Sequence, residues 1–214
     1  MALTRRGFVR RMGQVTATVS GAALSARGFE AMTAAHAAGQ DRPQIPPGMI
    51  RLGSNESPYG PGPRVVAAVE RALLDDGNRY SRSPSLLTGR VAAMQGISAA
   101  SVLVAAGSGD LLRASVFAWV TAERPLVAAT PTFETPVRTA GALRMPVRMV
   151  PLTPALTIDL DRMAEQGHGA GLVYVCNPDN PTGTFHPKTA IVSFIERIAA
   201  ASPETVVMID EAYF

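Results

Sequence analysis

Leu172-Val173-Tyr174-Val175-Cys176-Asn177-Pro178-Asp179-Asn180-Pro181-Thr182-Gly183 passes from an unbroken apolar run into a loop with two Asn-Pro steps and a glycine. A short continuous apolar run closed by turn residues is the pattern of a strand buried on both faces. Proline, which has no amide donor, and asparagine, which bonds back to its own backbone, stop it. Working outward, similar short runs occur at 102–106, 126–129, 147–150 and 206–209. Between and before them, apolar residues recur at helical spacing over 110–121, 134–140, 160–166 and 188–200. Strands alternating with helices predict an α/β fold, a three-layer arrangement around a largely parallel sheet covered on both faces. Two further helices are predicted upstream. One covers 63–74, with Pro63 at its first turn and Val65, Val66, Val69, Leu73 and Leu74 on one face, and the other covers 86–95.

Composition narrows the function classes. With 47% hydrophobic and 17% charged residues in 214, the chain has material for one sizeable core. The formal charge is +3, but Arg5, Arg6, Arg10 and Arg11 account for it, leaving the body about neutral. No basic stripe with interleaved aromatics points to nucleic acid, and no membrane surface is indicated for the body of the protein. Cys176, the single cysteine, excludes an internal disulfide and reads as a small core residue. Lys188 is the single lysine and reads as a solvated surface group.

Three motifs fall at the carboxyl ends of predicted strands, where ligands sit on open parallel sheets. Gly107-Ser108-Gly109-Asp110 opens a helix, and its free amides, glycines and serine hydroxyl suit a phosphate. An ordinary strand-to-helix turn would read the same way. A dinucleotide fingerprint would need glycine at Leu112, and a P-loop would need Gly-Lys-Ser/Thr. Asn177 to Gly183 is either a tight loop or a rigid support for an amide donor. Asp210-Glu211-Ala212-Tyr213 places a carboxylate at the end of an apolar strand. Such a group is costly without a charged partner, and a ligand cation would provide one.

Residues 50–214 together resemble the fold type I pyridoxal-phosphate-dependent aminotransferases of class I/II, and within them the histidinol-phosphate aminotransferase subgroup. The resemblance is carried by these motifs and by three more. Leu52-Gly53-Ser54-Asn55-Glu56-Ser57-Pro58-Tyr59-Gly60 is similar to the subgroup's Asn-Glu-Asn-Pro-Tyr-Gly, Asn78-Arg79-Tyr80 to its Asn-Arg-Tyr-Pro, and Pro131-Thr132-Phe133 to its Pro-Thr-Tyr. Ser81 departs from the proline after that tyrosine. The resemblance implies that pyridoxal 5'-phosphate is the cofactor, with Asp210 keeping the pyridine nitrogen protonated. Asn180 and Tyr213 would bond the ring's phenolic oxygen, Phe133 would stack on the ring, and Ser108 and Gly109 would bind the phosphate. Tyr80 would reach a neighbouring subunit's phosphate in a homodimer, and Tyr59 would contact substrate. It further implies amino-group transfer between an amino acid, or an amino-alcohol phosphate, and a 2-oxo acid. A lyase of the same fold, or a non-catalytic protein that binds the cofactor or a phosphate, shares these residues. The family's cofactor-bonding lysine and substrate-carboxylate arginine are expected beyond Phe214, so the chain reads as an inactive N-terminal fragment of the enzyme.

Ahead of this region, Thr4-Arg5-Arg6-Gly7-Phe8-Val9-Arg10 resembles a twin-arginine export signal. The apolar stretch 12–26 that follows is too short and weak to span a membrane. Ala35-His36-Ala37 offers a small-x-small cleavage site. The expected organisation is therefore a signal peptide over 1–37, a Pro/Gly-rich linker over 38–49, and the folded part from residue 50. Export would place the protein in the periplasm or outside a bacterium. A cytoplasmic location is the alternative, and it is the one that suits histidine biosynthesis.

Overall fold

The computed structural model describes residues 48–50, 52–80 and 84–213. The proposed export segment, residues 38–47 of the linker, and Ser81 lie outside the described residues. The chain divides after Gly77 into two compact units.

In the first unit, Pro63 opens helix α1 (Pro63–Asp76), and Gly77 closes it with its amide on the Leu73 carbonyl. A proline at this position loses no helical hydrogen bond, because the first amides of a helix have no partner. The helix forms where its spacing predicts, yet none of its residues is buried and its apolar stripe is exposed.

The second unit holds α2 (Pro84–Gln95), a 3-10 turn (Ala99–Ser101), α3 (Ser108–Trp119), β1 (Leu126–Thr130), α4 (Thr135–Ala142) and β2 (Val147–Pro151). It continues with α5 (Leu160–Gln166), β3 (Leu172–Cys176), α6 (Lys188–Ala201) and β4 (Val206–Asp210). The four strands form one sheet in the order β2-β1-β3-β4, every pair parallel. Side chains alternate across the strands, and in the central strands β1 and β3 both sets are buried. Leu126, Ala128, Leu172, Tyr174 and Cys176 face α3 and α4 with Leu112 and Val116. Val127, Ala129, Val173 and Val175 face α5 and α6 with Met163, Ile191, Phe194 and Ile198. Helix α6 makes that contact because Ile191, Phe194 and Ile198 recur at three and four residues and so share one face.

One predicted strand is absent. Residues 102–106 join no ladder, and Leu103 is 74% exposed. An apolar β-prone run becomes a strand only beside an edge that can pair its amides and carbonyls. Among the described residues, neither β2 nor β4 offers its free edge to this segment. Val102 at its start keeps extended backbone.

Gly171, at the entry to β3, fixes how closely α3 approaches the sheet. Its amide donates to the Pro125 carbonyl at 3.0 Å. A Cβ there would overlap the Trp119 carbonyl oxygen and lie 2.9 Å from that of Arg124.

Candidate active site

The chain leaves β1 toward β2 on one side, then returns past β1 to β3 on the other. The point between β1 and β3, where the order reverses, is where loops diverge at the carboxyl ends and leave a crevice. The loops following those two strands meet there. Thr132 Oγ1 donates to Asp179 Oδ1 at 2.8 Å, and Thr182 Oγ1 donates to Asp179 Oδ2 at 2.9 Å. The Asp179 amide donates to the Thr184 carbonyl at 2.8 Å, closing the loop that Gly183 turns with a φ of 70°. Asp179 is 3% exposed, so it acts as a buried clamp between the two loops. Asn177 ties down the far side: its side chain accepts from the His186 amide at 2.7 Å and donates to the His186 carbonyl at 3.0 Å.

That clamp fixes the flanking predicted site residues, Phe133 and Asn180. Both line a cleft of about 340 Å³ whose rim carries the ion pair of Glu134 and Arg138. Asn180 Nδ2 donates to Tyr213 Oη at 3.0 Å, joining the loop after β3 to the residues after β4. Asp210, Ser108 and Gly109 do not line this cleft.

Asp210 ends β4 and is only 8% exposed. Val206 and Met208 pack on the α3 side of the sheet, so the alternation sends Asp210 to that side too. Its Oδ2 accepts from Tyr174 Oη at 3.0 Å and its Oδ1 from the Ala212 amide at 3.2 Å. Burial, followed by the nearby Cys176 and Asp210, pushes the Tyr174 phenol far above the usual tyrosine range, so it serves as a donor. Burial likewise raises the Cys176 thiol, whose Sγ donates to the Pro178 carbonyl at 3.3 Å. Cys176 is the buried core residue its apolar surroundings predict.

Ser108 and Gly109 form the first turn of α3. Gly107 precedes them with a φ of 88°, and no side chain caps the helix, so its leading amides keep their positive end. Trp119, at the other end of α3, meets Gly171 just before β3 begins. Eleven residues of helix rise about 16 Å, much the same as five residues of strand. The start of α3 therefore reaches the level of the strands' carboxyl ends, on the face that Asp210 takes. Arg113, one turn along α3, pairs with Asp110 at 3.1 Å, and one of its guanidinium nitrogens would lie 3.3 Å from a Cβ at Gly109.

Tyr80 is 99% exposed, and Tyr59, 93% exposed, belongs to the first unit. Lys188 lies exposed at the start of α6. A larger cleft of about 450 Å³, lined by Thr157, His186 and Arg197 among others, contains none of the predicted site residues. No group of metal-binding side chains occurs among the described residues, and none of the described helices is long and apolar enough to cross a membrane.

Sequence reasoning missed Tyr174, Thr132 and Asp179. Tyr174 shares the alternation of Cys176, but only the register of β3 against β4 puts it on the face of Asp210. The Thr132–Asp179 contact joins residues 47 apart and left no local pattern.

Removal of Asp179 leaves the buried Thr132 hydroxyl without its acceptor and takes one partner from the half-buried Thr182 hydroxyl, which keeps Thr184. Asp179→Ala is expected to lower stability by about 2–3 kcal/mol in urea unfolding, with Asp179→Asn losing less because one acceptor oxygen remains.

A parallel α/β sheet with a buried carboxylate and an uncapped helix start at one end of its strands has the features that suit an anionic, nitrogen-bearing ligand. Residues 47–214 match the aminotransferase class I and II family, and the chain belongs to that family. It is 33% identical to histidinol-phosphate aminotransferase 1 of Bordetella parapertussis over 174 residues, 81% of this chain and 48% of that protein. It is 36% identical to histidinol-phosphate aminotransferase 1 of Burkholderia pseudomallei over 168 residues, 77% of this chain and 45% of that protein. Among solved structures, histidinol-phosphate aminotransferase from Sinorhizobium meliloti in complex with pyridoxal-5'-phosphate superposes with a TM-score of 0.69 at 30% identity, covering 75% of this chain and 43% of that one. The chain thus spans about half the length of the curated relatives it matches.

Proposed function

We propose that this chain is the cofactor-binding N-terminal part of a pyridoxal-phosphate-dependent transaminase that moves an amino group between an amino acid, or an amino-alcohol phosphate, and a 2-oxo acid. The observation that carries the reading is Asp210: a buried carboxylate, held by two donors, on the same face and at the same level as the uncapped start of α3. An ionised carboxylate has about four acceptor directions. Two are used, which leaves room for a protonated ring nitrogen. Ser108 and Gly109 present the helix amides to the phosphate, with Arg113 adding positive charge nearby. Phe133 would stack on the ring, while Asn180 and Tyr213, already bonded to each other, would bond its phenolic oxygen.

When bound, the cofactor supplies an electron sink for the charge left at the substrate's α-carbon. The chain's own contribution is to hold and orient. Asp210 keeps a proton at the ring nitrogen, the Asp179 clamp sets the separation of Phe133 from Asn180, and the start of α3 neutralises phosphate charge. Exposed Tyr80 suits contact with a second copy in a homodimer, and Tyr59 suits contact with substrate. Lys188 is exposed at the start of α6, the helix that packs on the face of the sheet opposite Asp210, and it does not suit the cofactor-bonding role. The discriminating observation is the reading frame downstream of Phe214. A lysine followed by an arginine there, and amino transfer by the extended protein, support the transaminase. A frame that stops at Phe214 overturns it and leaves a non-catalytic binding protein.

Export by the twin-arginine route is the second part of the proposal, supported by Arg5-Arg6 ahead of a weakly apolar stretch. Changing both arginines to lysine is expected to abolish export in a cell-fractionation assay, and unchanged export would refute it.

A further inference from the structure

The role proposed for Asp210 depends on where its carboxylate points, and one strand over lies a group that decides this. We infer that Tyr174 is the positioning residue for Asp210, turning the carboxylate's free acceptor directions toward the mouth of the site where the ring nitrogen would lie. This inference rests on the cofactor reading above and extends it to a residue that touches no ligand.

The backbone register explains the reach. Cys176 pairs with Asp210 across β3 and β4, and Tyr174 pairs with Met208. Tyr174 therefore starts two residues lower on the same face, about 6.6 Å along the strand, a span that a phenol covers and a shorter side chain does not. Its hydroxyl ends 3.0 Å from Asp210 Oδ2. The ring itself cannot swing. It is fully buried in β3 and packed with Leu112, Val116 and Ala140 from the two helices on that face.

An aspartate at a strand end has a broad, soft terminal torsion, and the Ala212 amide alone would leave the carboxylate free to turn about it. Two donors on two different oxygens fix the plane of the group. The donor from below also occupies the acceptor direction facing the core, so the directions left open face away from it. Cys176 is the other titratable group on this face, and its proton goes to the Pro178 carbonyl.

The test uses the 214-residue chain, Tyr174→Phe, and two ligands: pyridoxal 5'-phosphate and its analogue with the ring nitrogen replaced by CH. Affinities are read by fluorescence titration. Tyr174→Phe is expected to weaken the nitrogen-bearing ligand about tenfold, the worth of one hydrogen bond to a charged group. The analogue, which has nothing for Asp210 to hold, is expected to change less than about twofold. Equal weakening of both ligands would make Tyr174 merely structural and overturn the inference, as would no weakening of either. A second measurement needs no variant and no ligand. NMR of the wild-type chain should show a Tyr174 hydroxyl proton protected from exchange and close to the Asp210 β-protons, and its absence overturns the contact. If neither ligand binds the wild-type chain, the cofactor reading fails, and the hydroxyl proton still decides whether Tyr174 holds Asp210.

Discussion

Asp210→Ala is expected to weaken binding of pyridoxal 5'-phosphate to this chain on the order of a hundredfold to a thousandfold, measured by fluorescence titration. Taking away one partner of a buried charge pair costs about 3–5 kcal/mol, because the charge that remains has lost both its solvent and its counter-charge. On the proposed reading that stranded charge is the ring's protonated nitrogen, and the ligand would have to give up its proton or its place. The carboxylate is 8% exposed, so bulk water does not replace it. The same substitution removes the acceptor of the Tyr174 phenol, so some loss of stability accompanies the loss of affinity. Asp210→Asn separates the two effects. It preserves the side chain's shape and a hydrogen bond to Tyr174, while removing the charge. Affinity for the cofactor should fall nearly as far as in the alanine variant, with unfolding little changed. Unaltered affinity in either variant would remove Asp210 from its assigned role.

Gly171→Ala is expected to cost about 3 kcal/mol in denaturant unfolding, since its added carbon would make the closest approach to a neighbour among the described glycines. The position has no unusual backbone angle. Its constraint is space alone, because the added carbon would overlap the Trp119 carbonyl oxygen and approach that of Arg124. Both neighbours are backbone, so no rotamer change relieves the clash. Relief would need α3 to lift from the sheet, opening the layer formed by Leu112, Val116 and Leu172. Because α3 carries Ser108 and Gly109 at its far end, the variant should also bind the cofactor's phosphate less tightly. A stability equal to the original would mean that α3 and β3 are not packed as described.

The layered α/β architecture was legible in the sequence because the strands at 126 and 172 are buried on both faces and read as continuous apolar runs, as does the half-buried edge strand at 206. Helix α6 was equally legible from the spacing of Ile191, Phe194 and Ile198. Residues 102–106 show the limit of that method. Their apolar run is real, but a run records what a strand would bury and says nothing about whether an edge is available to pair with it. Helix α1 shows another: its stripe of Val65, Val69 and Leu73 predicted the helix, while the exposure of that stripe depends on what packs against it. At the site, the residues at strand ends were findable, since glycine, proline, asparagine and aspartate punctuate apolar runs. The supports were not. Asp179 owes its role to Thr132 and Thr182, and Tyr174 owes its role to a register between β3 and β4 that no spacing along the chain encodes.

The account's central claim is that Asp210 and the start of α3 form the two ends of one cofactor site. A crystal structure of the chain soaked with pyridoxal 5'-phosphate tests it most directly. The account predicts the ring nitrogen within hydrogen-bonding distance of Asp210 Oδ1 or Oδ2, the phosphate on the amides of Ser108 and Gly109, and Phe133 against the ring. A phosphate bound instead in the larger cleft beside Thr157, His186 and Arg197, with Asp210 untouched, would contradict it.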